Sequence, residues 1–178
     1  MSRKPSRYLL LALLLALCLP ALKARAGSLS TTFGVTMTVP KVCIILTSGS
    51  YAFGNYDPVS ANKTTDLTTS ASNFVSVYCT KNSTSVWVGF DAGTNSAKAP
   101  AGSTRAVSDG SSDYIGYDFY QDNTWTTLWG NTQATGEALT GFTSAFTPVQ
   151  ATAYGKAPHG QDVPAGSYTD TITATVNF

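Results

Sequence analysis

Charge and histidine are scarce in this chain. Of 178 residues, eleven are Lys or Arg, ten are Asp or Glu, and one, His159, is histidine. That scarcity excludes most site chemistry at the outset. A Ser-His-acid triad would have to use His159, in the loop sequence APHGQ, and no serine sits in a G-x-S-x-G elbow. Two cysteines and one distant histidine lack zinc spacing. No phosphate-cradling or dinucleotide motif occurs, since FDAGTNSAKAP (90–100) has neither the spacing nor the following helix. Asp109 with Asp113, and Asp118 with Asp122, are the carboxylate pairs that could in principle hydrolyse a glycoside, but they read as turn and surface residues. The expectation is a protein without catalytic residues, cofactor or metal.

The basic residues are also unevenly placed. Arg3, Lys4 and Arg7 precede an apolar run from Leu9 to Leu19, and Ala24-Arg25-Ala26 supplies small residues at the positions a signal peptidase reads. Residues 1–26 read as a secretory leader cut after Ala26. The apolar run of eleven residues falls short of the roughly 18 that span a bilayer. Cys18 follows a large Leu17, which argues against lipid modification. The leader holds five of the eleven basic residues, so the rest of the chain carries six basic against ten acidic residues. An acidic chain without a basic cluster is a poor match for nucleic acid or an anionic membrane. With Cys18 removed, Cys43 and Cys79 remain. Two cysteines in an exported chain read as one disulfide, worth about 4 kcal/mol by loop closure.

What is abundant is Thr, Ser, Gly and aromatics in period-two patterns, which suits strands and turns. Strands are predicted over 31–46, 51–58, 73–79, 85–91, 113–122, 124–130, one or two within 138–155, and 167–178. Residues 92–112 and 158–166 read as loops. In the last segment Tyr168, Ile172, Ala174, Val176 and Phe178 share one face with Asp170, and threonines fill the other. So many short strands predict an all-β sandwich with a closed barrel as its rival. Trp87, Trp125 and Trp129 are either core residues or a sugar-stacking surface. Asn62-Lys63-Thr64 and Asn82-Ser83-Thr84 match the glycosylation sequon. Near the start of the mature chain, STTFGVTMTVPKVC (30–43) alternates Phe33, Val35, Met37 and Val39 with Gly and Thr. A strand there pairs either within its own domain or with another molecule.

An ordered set of short motifs resembles the spore coat protein U family, the subunits of archaic chaperone–usher pili. The set runs from the alternating stretch before Cys43 through FGNY (53–56), VYC (77–79), VGFDAG (88–93), Arg105, YDFYQD (117–122), LWG (128–130) and YGK (154–156) to PAGSYTDTITATVNF (164–178). Lys156 stands where the family more often has arginine. The resemblance implies an incomplete immunoglobulin-like sandwich, residues 41–178, lacking its final strand. It implies an N-terminal donor extension, residues 27–40, whose Phe33, Val35, Met37 and Val39 enter a groove on a neighbouring subunit. Ile172, Ala174, Val176 and Phe178 then line the acceptor groove and face a periplasmic chaperone. The partners implied are that chaperone, an outer-membrane usher and further subunits joined head to tail, with the product exported to the cell surface for adhesion or biofilm formation. A coat protein of the same fold and a secreted carbohydrate-binding module are the alternatives.

Overall fold

The computed structural model describes residues 26–178, so the leader lies outside the described residues except for Ala26. The chain divides between Thr38 and Val39 into two units. In the first, residues 26–38 form no strand, and Phe33, Val35 and Met37 are 85%, 80% and 89% exposed.

The second unit is all-β. Its strands are β1 Cys43–Thr47, β2 Leu67–Cys79, β3 Val86–Phe90, β4 Arg105–Ser108, β5 Tyr114–Tyr120, β6 Glu137–Leu139, β7 Val149–Ala157 and β8 Ala174–Asn177. They form a five-stranded sheet in the order β1-β2-β7-β5-β4 and a three-stranded sheet in the order β6-β3-β8. Every pairing is antiparallel. Two layers of this kind make an immunoglobulin-like sandwich rather than a closed barrel.

Period-two alternation supplies the core. Val75, Val77 and Cys79 of β2, Val86, Val88 and Phe90 of β3, and Ile115, Tyr117 and Phe119 of β5 are all buried. Burial of each large apolar side chain contributes about 1.5–3 kcal/mol. Phe90 meets Phe119 edge-on across the two sheets, with ring centroids 5.5 Å apart. Strand β7 presents small residues inward, Ala151, Ala153, Gly155 and Ala157. The reason is close approach: a methyl group at Gly155 would lie 2.7 Å from the Phe53 ring and 2.9 Å from that of Tyr51. A disulfide joins Cys43 to Cys79, which sit directly opposite each other in the β1–β2 register.

Several predicted strands are revised. Of the 31–46 segment only residues 43–46 enter a ladder, as part of β1, and 51–58 forms none. Residues 124–130 make a turn held by Asp122, whose carboxylate accepts from the backbone N–H groups of Thr124, Thr126 and Thr127, plus one isolated bridge from Leu128 to Tyr120. Strand β4 lies within the stretch read as a loop, 92–112. Four residues that include a buried arginine carry no apolar signal. Only 174–177 of the last segment is laddered. Residues 158–166 do form a loop.

Candidate functional site

An open cleft of about 1220 Å³ runs beside β8 and reaches the core. One wall is the stretch from Thr47 to Val59, the other the stretch from Val163 to Ala174. The floor is formed by the core residues Phe74, Phe90, Ile115, Tyr117 and Phe119.

Both walls carry backbone groups without ladder partners. From Gly49 to Tyr56 no backbone–backbone hydrogen bond forms. Side chains hold this wall instead. Tyr51 donates to the Thr69 carbonyl at 2.9 Å and Tyr56 to the Pro158 carbonyl at 2.7 Å. Burial pushes the Tyr51 hydroxyl up to about 12, so it remains a donor at any physiological pH. Phe53 packs edge-on against Tyr117 at 5.2 Å.

The opposite wall changes sheets as it runs. Thr169 bridges Ser108 of β4, with both backbone bonds formed at 2.9 and 2.8 Å. Beyond it, the Thr171 carbonyl accepts from Thr94 and the Thr173 carbonyl from Asp91, on the β3 side. The pleat therefore turns the backbone groups of Ile172, Ala174 and Val176 to the other side. There β8 is an edge strand, with β3 on one side and no strand on the other among the described residues. An edge of this kind pairs readily with an added strand.

Asp170 faces the cleft and is fully engaged. It accepts from Thr94 (backbone N–H and hydroxyl), from Asn95, and from the Tyr117 hydroxyl at 2.9 Å. Burial, then that bond, raises the Tyr117 hydroxyl. The cleft thus has an apolar floor with one polar group that is already satisfied.

Away from the cleft, Arg105 of β4 is 2% exposed. Its Nε donates to the Asp91 carbonyl at 2.8 Å, and one terminal nitrogen donates to the carbonyls of Phe90 at 3.0 Å and Trp129 at 2.8 Å. The other lies 3.4 Å from the Asp118 carboxylate, which also accepts from the Thr104 backbone and hydroxyl. Burial raises the Asp118 carboxyl against these favourable contacts. Trp129 stacks on Phe90 at 4.2 Å and donates its indole N–H to the Val88 carbonyl. Arg105, YDFYQD and LWG therefore meet in one buried node. Sequence reading singled out these residues, but only as separate motifs.

The other candidate residues are dispersed. His159 is exposed and contacts Asp66 at 2.6 Å. Asp109 accepts from Ser111 and Asp113 in a turn, while Asp118 belongs to the buried node. Trp129 is core, and Trp87 and Trp125 are half-buried, so the three form no open stacking face. Asn62 is buried and bonded to Asp57 and Thr65, whereas Asn82 is exposed. Ile172 and Ala174 line the cleft. Val176 packs against the core beyond the cleft lining, and Phe178 is 52% exposed. Val39, like the three residues before it in the alternation, is exposed, at 72%. Among the described residues no cluster of acidic, Cys or His side chains could hold a metal ion.

The family described as Spore Coat Protein U domain matches residues 29–175. Protein U of Myxococcus xanthus is 39% identical over 136 residues, covering 73% of this chain and 72% of its own. A solved structure, the pre-assembly complex of a chaperone and a tip adhesion subunit from the archaic chaperone–usher Csu pili of Acinetobacter baumannii, aligns with a TM-score of 0.48 at 20% identity. That alignment covers 79% of this chain and 40% of the solved one.

Proposed function

We propose that this chain, which belongs to the spore coat protein U domain family, is a structural subunit that polymerises by donating its N-terminal segment to the cleft of the next copy. Its family is structural, not enzymatic. The observation that carries the reading is the cleft itself: two walls with unpaired backbone over an apolar floor. At about 1220 Å³ it is larger than the roughly 300–1,000 Å³ of small-molecule sites. It suits an extended peptide, whose backbone would complete both walls and whose alternate side chains would cover the floor.

The exposed stretch Phe33–Val35–Met37–Val39 has that form. Burial of its four side chains contributes roughly 6–12 kcal/mol before association costs and before any ladder. Donation to a different copy is a head-to-tail contact that does not close, so its product is a filament. Until a neighbour arrives, the apolar cleft needs cover, and that is the role of a periplasmic chaperone, with an outer-membrane usher exchanging its strand for the next subunit's. The filament then lies outside the cell, where it supports adhesion or biofilm formation.

The test is a gel of surface extracts from cells making the protein with its chaperone and usher. Unheated samples should show a ladder in detergent that collapses to monomer on boiling. Deletion of residues 28–39, or Met37→Asp, should abolish the ladder while leaving chaperone-bound monomer in the periplasm. A ladder that survives both changes overturns the reading. The family's description favours one second reading, a coat layer built from the same strand exchange. Electron microscopy of the cell surface separates layer from filament.

A further inference from the structure

The outer face of β1 carries a narrow apolar stripe. Val42, Ile44 and Leu46 are 52%, 55% and 55% exposed, while the alternate residues Cys43 and Ile45 pack against the core. Across the ladder Ile44 faces Tyr78, and Leu46 faces Ser76. Beyond Val42 lies Thr80, whose hydroxyl accepts from the Val42 N–H at 3.0 Å. The stripe is therefore flanked by Ser76 and Tyr78 of β2 and by Thr80 just after it, and it runs along β1, the edge strand of the five-stranded sheet among the described residues.

Three half-exposed side chains cannot hold a free partner. They offer far less than the roughly 1,000 Å² that a stable interface buries. A patch this small is occupied only by something already held beside it, where tethering raises the effective concentration to about the millimolar range. The chain supplies one such neighbour. Val42 follows Val39 by three residues, so the start of the stripe lies within about 10 Å of the last donor side chain, and Leu46 within about 25 Å. Pro40 fixes its own φ in this short connection, so little slack separates the two.

We propose that the Val42–Ile44–Leu46 stripe packs against the copy that receives the donor segment, as a second contact that restrains the angle between successive subunits. This rests on the donor-strand reading. The two contacts differ in kind. The donor strand sets whether subunits are joined, and the stripe sets how stiffly.

The test uses full-length protein assembled by its chaperone and usher, with the photo-crosslinking residue benzoylphenylalanine at Leu46 or, separately, at Ile44. The same probe at Asn123, an exposed loop position away from the cleft, is the reference. After irradiation, assembled fibres should give a dimer band that survives boiling, at least tenfold above the Asn123 probe at one of the two positions. Fibres that show the heat-sensitive ladder yet crosslink no more than the reference at either position overturn the inference and leave the donor strand standing. Absence of the ladder from the unmodified chain removes both. Fibres of Ile44→Thr/Leu46→Thr should keep the ladder and lose at least half their persistence length in micrographs, and unchanged stiffness also overturns the inference.

Discussion

Two neighbouring regions of this sandwich solve one problem in opposite ways. Around Arg105 of β4, the end of β3 and the turn before Gly130 leave carbonyls at Phe90, Asp91 and Trp129, and the one buried arginine collects all three. On the side of β8, backbone groups face outward from Ile172, Ala174 and Val176, and the stretch 49–56 opposite them makes no backbone hydrogen bond. One seam is sealed by a side chain of the same molecule. The other has no strand beside it among the described residues. The open seam is not a consequence of a weak fold, because a charged node that is costly to bury sits intact a few residues from it.

Breaking the sealed side has the largest expected effect. Arg105→Ala leaves Asp118 and three carbonyls without their partner and should cost about 3–5 kcal/mol, seen as a fall in the urea midpoint. Arg105→Lys should recover little of it, since one ammonium cannot reach acceptors on two strands and a loop. Removing the Cys43–Cys79 bridge with paired serines should cost about 2–4 kcal/mol by the same measurement. The open side is sharpened by Gly155→Val. Its side chain would displace the Phe53 and Tyr51 rings, so a loss of about 1–3 kcal/mol is expected. The wall these rings hold should then accept a peptide of residues 30–41 more weakly in a fluorescence titration.

The smallest effect is acid sensitivity, and it distinguishes the two sides by sign. Asp91 bonds the Thr173 N–H at 2.9 Å beside the cleft wall. Burial raises its carboxyl, but the Thr173 and Gly93 N–H groups outweigh this and hold it below the usual range. Its contribution is present above about pH 4 and is lost as pH falls through the lowered folded value. Asp118 is raised, so it weakens the fold as pH rises through its unfolded and then folded values. Asp91→Asn should shrink the fall in melting temperature below pH 4, and Asp118→Asn should not.

Period-two reading identified the inward side chains well. Val75, Val77, Val86, Val88, Ile115 and Phe119 were all legible as core, because each lies on a strand with neighbours on both sides or one apolar face. Hydrogen bonding was less legible. Tyr51 and Phe53 alternate as a strand would and do point inward, yet their backbone pairs with nothing. The stretch 168–173 alternates half-buried with exposed residues and is likewise outside a ladder. Alternation reports which side of the chain is wet; a ladder also needs a neighbouring strand, and among the described residues none lies beside 49–56 or on the outer side of 172. Strand β4 was hidden for the reverse reason. Its anchor is a charged residue, whose burial depends on acceptors brought from positions 90, 91, 118 and 129. Of the cleft lining, Ile172 and Ala174 were reached only through the family resemblance, and the opposite wall was not legible, since the volume is what two distant stretches leave between them.

The position of the disulfide acquires a mechanical meaning in a fibre. Tension passed from one subunit to the next would enter the domain at the start of β1, an edge strand of five residues with a ladder on one side only. A strand pulled from its end opens one rung at a time, which is the weakest geometry for resisting load. The first rung here, Cys43 opposite Cys79, is covalent. Such a load would bypass the remaining rungs of β1 and pass directly to β2, a thirteen-residue strand paired on both sides.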